Sequence, residues 1–237
     1  MTKKRLFLLI TVIAICVILL LFVQALAIRI IRDKEDAKEQ QRYYQNRISS
    51  YEVENVITDD YQIDVAFIGD RVIAEYEVVD EYTQYKVLNR AIDGESTEQL
   101  QERLKVSLYD LKPKVIVLLV SDEDYDTMIE NYDSILDGIH KNLPDSKVVL
   151  LSLPPVGGKY ASDNDDICFT NAKIKLLAKK YDYEYLDIYV PLFDLYEDEI
   201  FGAFAYDGKL LTPSGYHIIT RELSPLLESI LSDWTMP

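Results

Sequence analysis

Residues 113–126 read Pro-Lys-Val-Ile-Val-Leu-Leu-Val-Ser-Asp-Glu-Asp-Tyr-Asp, and their pattern decides the fold. Val115–Val120 is continuous, apolar and largely β-branched, so it reads as a strand buried on both faces, the signature of a parallel sheet. Just downstream, Met128, Ile129, Tyr132, Ile135, Leu136 and Ile139 recur at the spacing of one helix face. The polar stretch between the two elements is therefore a strand end. Working outward, Asp64–Ile68, Tyr85–Leu88, Lys147–Leu151 and Tyr185–Tyr189 give four more strand signals. Helices are expected through Leu100, Leu104, Leu108 and Leu111, over residues 169–180 with Ile174, Leu177 and Ala178 inward, and over Pro213–Leu231. Ser96 and Gln99 form a capping-box start for the first of these. Alternation of this kind means an α/β fold: a five-stranded parallel sheet with helices on both faces, in three layers. Ligands of such sheets bind beyond the carboxyl ends of the strands. That directs attention to residues 69–72, 89–97, 121–126, 154–160 and 207–212.

The chain ahead of the sheet has another character. Leu6–Val23 is 18 residues without a charge, and only Gln24 separates it from Ala25–Ile28, long enough to cross a bilayer. Lys3, Lys4 and Arg5 precede it and favour a cytoplasmic N-terminus, with Arg29, Arg32 and Lys34 on the far side weighing against. An uncleaved signal anchor over residues 1–31 is the favoured reading; Ala25-Leu26-Ala27 keeps a cleaved signal peptide open. Either way the remainder lies outside the cytoplasm, in the first case as a single-pass membrane protein. Cys16 follows bulky Ile15 and does not make a lipidation site. Residues 32–58 are charged and read as a helical stalk, with Tyr43, Tyr44 and Ile48 as candidate docking contacts; residues 59–237 form the α/β domain.

Of 237 residues, 25 are Lys or Arg and 41 are Asp or Glu, giving a formal charge of −16. Residues 1–34 hold six cations and one anion, which leaves 19 against 40 in the rest, or −21. A body so acidic repels phosphate backbones and argues against a sequence-independent nucleic-acid binder; no nucleic-acid partner is expected. With His140 and His217 alone, no histidine cluster can form.

The strand ends carry motifs. The first strand leads into Gly69-Asp70-Arg71, and the second into Asn89-Arg90-Ala91-Ile92-Asp93-Gly94-Glu95-Ser96-Thr97. The third leads to Ser121-Asp122-Glu123-Asp124, and the last block is Asp207-Gly208-Lys209-Leu210-Leu211-Thr212-Pro213-Ser214-Gly215-Tyr216. In order and spacing these resemble the blocks of the SGNH/GDSL hydrolase family over about residues 60–232. The resemblance implies a doubly wound, flavodoxin-like sheet and an esterase site. It also places the nucleophile at Arg71, the oxyanion glycine at Gly94, the oxyanion asparagine at Glu123, the triad aspartate at Asp207 and the base at Leu210. Arg and Leu can do neither job, and an ionised Glu would repel an oxyanion. What remains is a pocket of Asp70, Arg71, Asn89, Gly94, Glu123, Asp124 and Asp207. An internal ion pair of Arg71 with Glu123 or Asp207 is expected there.

Other candidates read as structural. His217 reads as a packed or rim residue, His140 as a surface cation near a helix end, and Ser96 and Thr97 as caps. Ser121 has no histidine partner in view. Cys168, between Ile167 and Phe169, reads as a buried thiol. Asp122, Asp124 and Asp126 alternate like a calcium loop, but Thr127 replaces its glycine and Asp133 its bidentate Glu; Ser162–Asp166 reads as a cap. Neither a metal nor a cofactor is expected.

Three functions follow. The favoured one is a membrane-anchored, catalytically inactive SGNH-like protein that binds or assembles at the cell envelope, where the resemblance implies acylated carbohydrate. The second is an active esterase or acyltransferase using displaced residues. The third is a structural partner of another membrane protein, contacting it through the stalk.

Overall fold

The computed structural model of the chain describes residues 3–122 and 124–237, in two compact units, Met1–Arg47 and Ile48–Pro237. The first unit is helical. Helix α1, Lys3–Val56, runs through it and ends in the second unit. Within Ile15–Val56 it is apolar enough over 18 residues to cross a membrane, with mean hydropathy 2.4 and none of that window buried.

The second unit is built on strands β1 (Val65–Gly69), β2 (Val87–Asn89), β3 (Val115–Leu119), β4 (Lys147–Leu151) and β5 (Glu184–Leu186). All pair in parallel in the order β2-β1-β3-β4-β5. The order reverses between β1 and β3, and that crevice is where doubly wound sheets place their ligands. The continuous apolar strands behave as their composition requires: Val65–Ile68 and Val115–Val120 are fully buried. Each large aliphatic side chain so buried contributes about 1.5–3 kcal/mol.

The covering helices are α4 (Thr97–Glu102), α5 (Tyr125–Asn142), α6 (Asn164–Tyr181) and α8 (Pro213–Asp233), with single-turn α2 (Arg71–Ala74), α3 (Val78–Glu81) and α7 (Tyr189–Leu192). The capping box at Ser96 and Gln99 forms as expected. Leu100, Leu104, Leu108 and Leu111 are all buried, but not on one regular helix: a π-helical turn, Lys105–Tyr109, follows α4. Strand β5 is shorter than expected, because the Asp187 carboxylate accepts from the Tyr189 and Val190 N–H groups and starts α7. A two-stranded hairpin of β6 (Phe193–Asp194) and β7 (Glu199–Ile200) adds to the elements expected from the sequence.

The division between units falls inside α1, so its last turns belong to the α/β unit. Tyr51 is 1% exposed, and its hydroxyl donates to the Ala91 carbonyl at 3.2 Å. Asn55 Nδ2 donates to the Val106 carbonyl at 2.6 Å. Contacts holding this end include those of Tyr51, Glu54 and Asn55.

Candidate functional site

At the carboxyl end of β1 the chain must turn sharply beside β3. Gly69, at φ +153°, allows it: a Cβ there would lie 1.6 Å from the Leu119 carbonyl oxygen. The turn places Asp70 as N-cap of α2, 6% exposed. Its carboxylate accepts from the Val72 N–H at 3.1 Å, the Ser121 N–H at 2.8 Å and the Ser121 hydroxyl. Burial pushes the Asp70 carboxyl above the usual carboxylate range, and those donors pull against it. Asp70 and Ser121 therefore clamp the ends of β1 and β3 together.

Arg71 follows at the start of α2, half exposed. Its Nε donates to Glu75 Oε1 at 2.6 Å and lies 3.8 Å from Asp93 Oδ1. The Glu75 hydrogen bond leads in raising its pKa, with Asp93 and Asp207 adding at longer range. The expected pairing with Asp207 is thus corrected. Arg71 takes Glu75 and Asp93, and Asp207 is beyond ion-pair contact; Glu123 lies outside the described residues. Both acids carry a signal in the sequence. Glu75 stands four residues along from Arg71, the spacing of a helical pair, and Asp93 sits in the second motif block.

Asp207 is used locally. Its carboxylate accepts from the Lys209 N–H at 3.2 Å and the Leu210 N–H at 3.1 Å, which hold it below the usual carboxylate range. Leu210, half-buried, offers nothing for that carboxylate to orient. Gly94 has φ 73°, a left-handed conformation that suits glycine, and is exposed. Asn89 turns inward: its Nδ2 donates to the Ile73 and Tyr76 carbonyls, and its Oδ1 accepts from the Ala91 N–H. These bonds fix the loop. A cleft of about 210 Å³ borders this region, with Glu75, Tyr206, Leu211 and Tyr216 among its walls.

The remaining candidates separate. Asp122 accepts from the Thr97 N–H and hydroxyl, Asp124 caps α5 and accepts from the Thr127 hydroxyl, and Asp126 pairs with Lys173 at 2.7 Å. The three carboxylates thus serve different partners. Asn164 grips the Val156 backbone at both its N–H and its carbonyl. His140 and His217 are exposed, and among the described residues no hydrogen bond joins an imidazole to a hydroxyl. Cys168 is exposed, not buried. Ile167, Thr170, Asn171, Ile174 and Ala178 form the buried face of α6, and position 168 falls one step of 100° off it.

This frame has close structural counterparts. A Streptococcus pneumonia protein provisionally described as a platelet activating factor superposes with TM-score 0.73 at 22% identity, covering 86% of this chain and 99% of that one. A GDSL-like lipase from Bacteroides thetaiotaomicron gives 0.67 at 19% identity, covering 77% and 97%. The chain has the SGNH/GDSL hydrolase fold. An acetylxylan esterase from Geobacillus stearothermophilus shares it, with TM-score 0.60, 14% identity and coverage of 76% and 99%. No family model and no curated protein matches the sequence. Within the SGNH/GDSL fold, Arg71 stands at the start of the first helix after β1 and Leu210 in the loop before the last helix.

Proposed function

We propose that this chain is a membrane-anchored, catalytically inactive SGNH/GDSL-like protein that binds acylated carbohydrate at the cell envelope without cleaving it. One observation supports the reading: Arg71, where the motif resemblance puts the nucleophile, has its guanidinium engaged by Glu75 and Asp93, and Asp207, where it puts the triad aspartate, accepts from backbone N–H groups beside Leu210. Acyl transfer needs a nucleophile and a base in hydrogen-bond reach, and losing either costs orders of magnitude in rate. The ligand class follows from structural neighbours named as acetylxylan and acetyl-xylooligosaccharide esterases. The apolar helix within Ile15–Val56 supports the anchor, and Lys3, Lys4 and Arg5 support an extracytoplasmic domain.

The test pairs binding with turnover. Saturation-transfer NMR with acetylated xylo-oligosaccharide is expected to show contact, and deacetylation over the same hours is expected to stay at the uncatalysed rate. Acetate release that scales with protein concentration overturns the inactive reading, and no saturation transfer removes the carbohydrate ligand.

A further inference from the structure

A second cleft, of about 480 Å³, opens between the first half of α6, α7 and the β6–β7 hairpin, away from the β1–β3 crevice. That volume lies in the range of small-ligand sites. Its chemistry is one-sided. Asp165 and Asp198 both line it, and the lining contains no Lys, Arg or His among the described residues. Asp165 sits in the first turn of α6, where the helix dipole offsets part of its charge. The Asp198 carboxylate, in the hairpin turn, has no ion-pair or hydrogen-bond partner among the described residues.

An independent feature marks the floor. Tyr189 is only 9% exposed, yet it lines the cleft, and among the described residues its hydroxyl meets just the Cys168 thiol, a weak partner. Burial first, then Cys168 and the charges of Asp198 and Asp165, push that hydroxyl's pKa up. The hydroxyl of this largely buried side chain is thus left short of a good hydrogen-bond partner, in a cleft that both carboxylates line. Val190 and Leu195, 69% and 86% exposed, form an apolar wall beside it.

We propose that this cleft binds a small organic ammonium. The cationic head sits against Asp198 and the Tyr189 hydroxyl, and the adjoining hydrocarbon covers Val190 and Leu195. An anion is repelled by both carboxylates, and a bare metal ion leaves the apolar wall wet. The site is separate from the β1–β3 crevice and does not depend on the function proposed for it.

Cys168 reports occupancy directly. The full chain in detergent micelles is alkylated with iodoacetamide, and the rate at Cys168 is read peptide by peptide so that Cys16 is counted apart. Rates are taken on the thiolate plateau, so that a change in thiolate fraction does not enter. Three probes of equal length are compared: hexylammonium, hexanol and hexanoate. Hexylammonium is expected to slow alkylation saturably, about tenfold at about ten times its Kd. Hexanol is expected to protect less and hexanoate not at all. D198N is expected to bring hexylammonium down to the level of hexanol. Asn suits the left-handed backbone at that position (φ 58°), so the variant keeps the turn. Equal protection by all three probes, protection unchanged in D198N, or none up to about 50 mM, beyond the millimolar Kd of a small fragment, overturns the proposal.

Discussion

The Arg71 guanidinium is held by Glu75, one helical turn along its own chain, at 2.6 Å. The cation proposed to stand in a nucleophile's place is therefore neutralised from its own rim, with Asp93 across the mouth at 3.8 Å. A cation at a helix start opposes the macrodipole by about 0.3–1 kcal/mol, and these two acids offset it.

The pair is solvent-exposed, at 51% for Arg71 and 36% for Glu75, so its stabilisation is small. Arg71→Ala is expected to change unfolding free energy by less than about 0.5 kcal/mol in urea titration. A loss of several kcal/mol would make Arg71 a structural residue and leave its position in the site unexplained.

Arg90 is the opposite case. Its side chain is fully buried, its NH2 group lies 3.1 Å from both Asn55 Oδ1 and Glu54 Oε2, and its guanidinium sits 4.5 Å from the Tyr51 ring centroid. The end of α1 is thereby fastened to the loop carrying Asp93 and Gly94. Arg90→Ala is expected to cost about 3 kcal/mol, against about 0.5–1 kcal/mol for Glu54→Gln, whose carboxylate is partly exposed. By the same logic, a fragment of residues 48–237 should unfold cooperatively, and one of residues 59–237 should be weaker by a comparable amount. Equal urea midpoints for the two fragments would show that the last turns of α1 are dispensable.

Asp70 predicts a pH signature. Burial raises its folded pKa above the unfolded value of 3.8, so the folded state keeps a proton that the unfolded state has released. The slope of unfolding free energy with pH is then negative for this group. Its contribution is full below the unfolded pKa and declines as pH rises through the folded one. Asp70→Asn should remove that decline, so the difference in stability between wild type and variant shrinks as pH rises from about 3.5. A difference independent of pH across the acid range would mean that Asp70 titrates as an ordinary carboxyl.

Much of the sheet was legible because its central strands leave no choice of face. Val115–Leu119 and Lys147–Leu151 are apolar runs too short for a helix and too continuous for a half-solvated strand. The edges were less legible. Strand β2 begins at Val87 instead of Tyr85, and β5 ends at Leu186, where the Asp187 turn outweighs a β-prone sequence. Two-residue strands such as β6 and β7 carry no periodicity to detect. In the site, the proposed replacements at Arg71 and Leu210 rest on position in the motif blocks alone. The acids beside Arg71 are marked more faintly: Glu75 stands outside the motif blocks and shows only helical spacing, and Asp93 lies within a block without being one of its catalytic positions. Cys168 misleads because apolar neighbours in sequence are not neighbours on a helix face.

The proposed loss of acyl-transfer chemistry is tested most directly by treating the full-length protein with a serine-directed fluorophosphonate, beside an Arg71→Ser/Leu210→His double variant, and reading adducts by intact mass. The account predicts no adduct on the wild type, and labelling in the double variant only, at the serine introduced in place of Arg71. A stoichiometric adduct on any wild-type serine would contradict it.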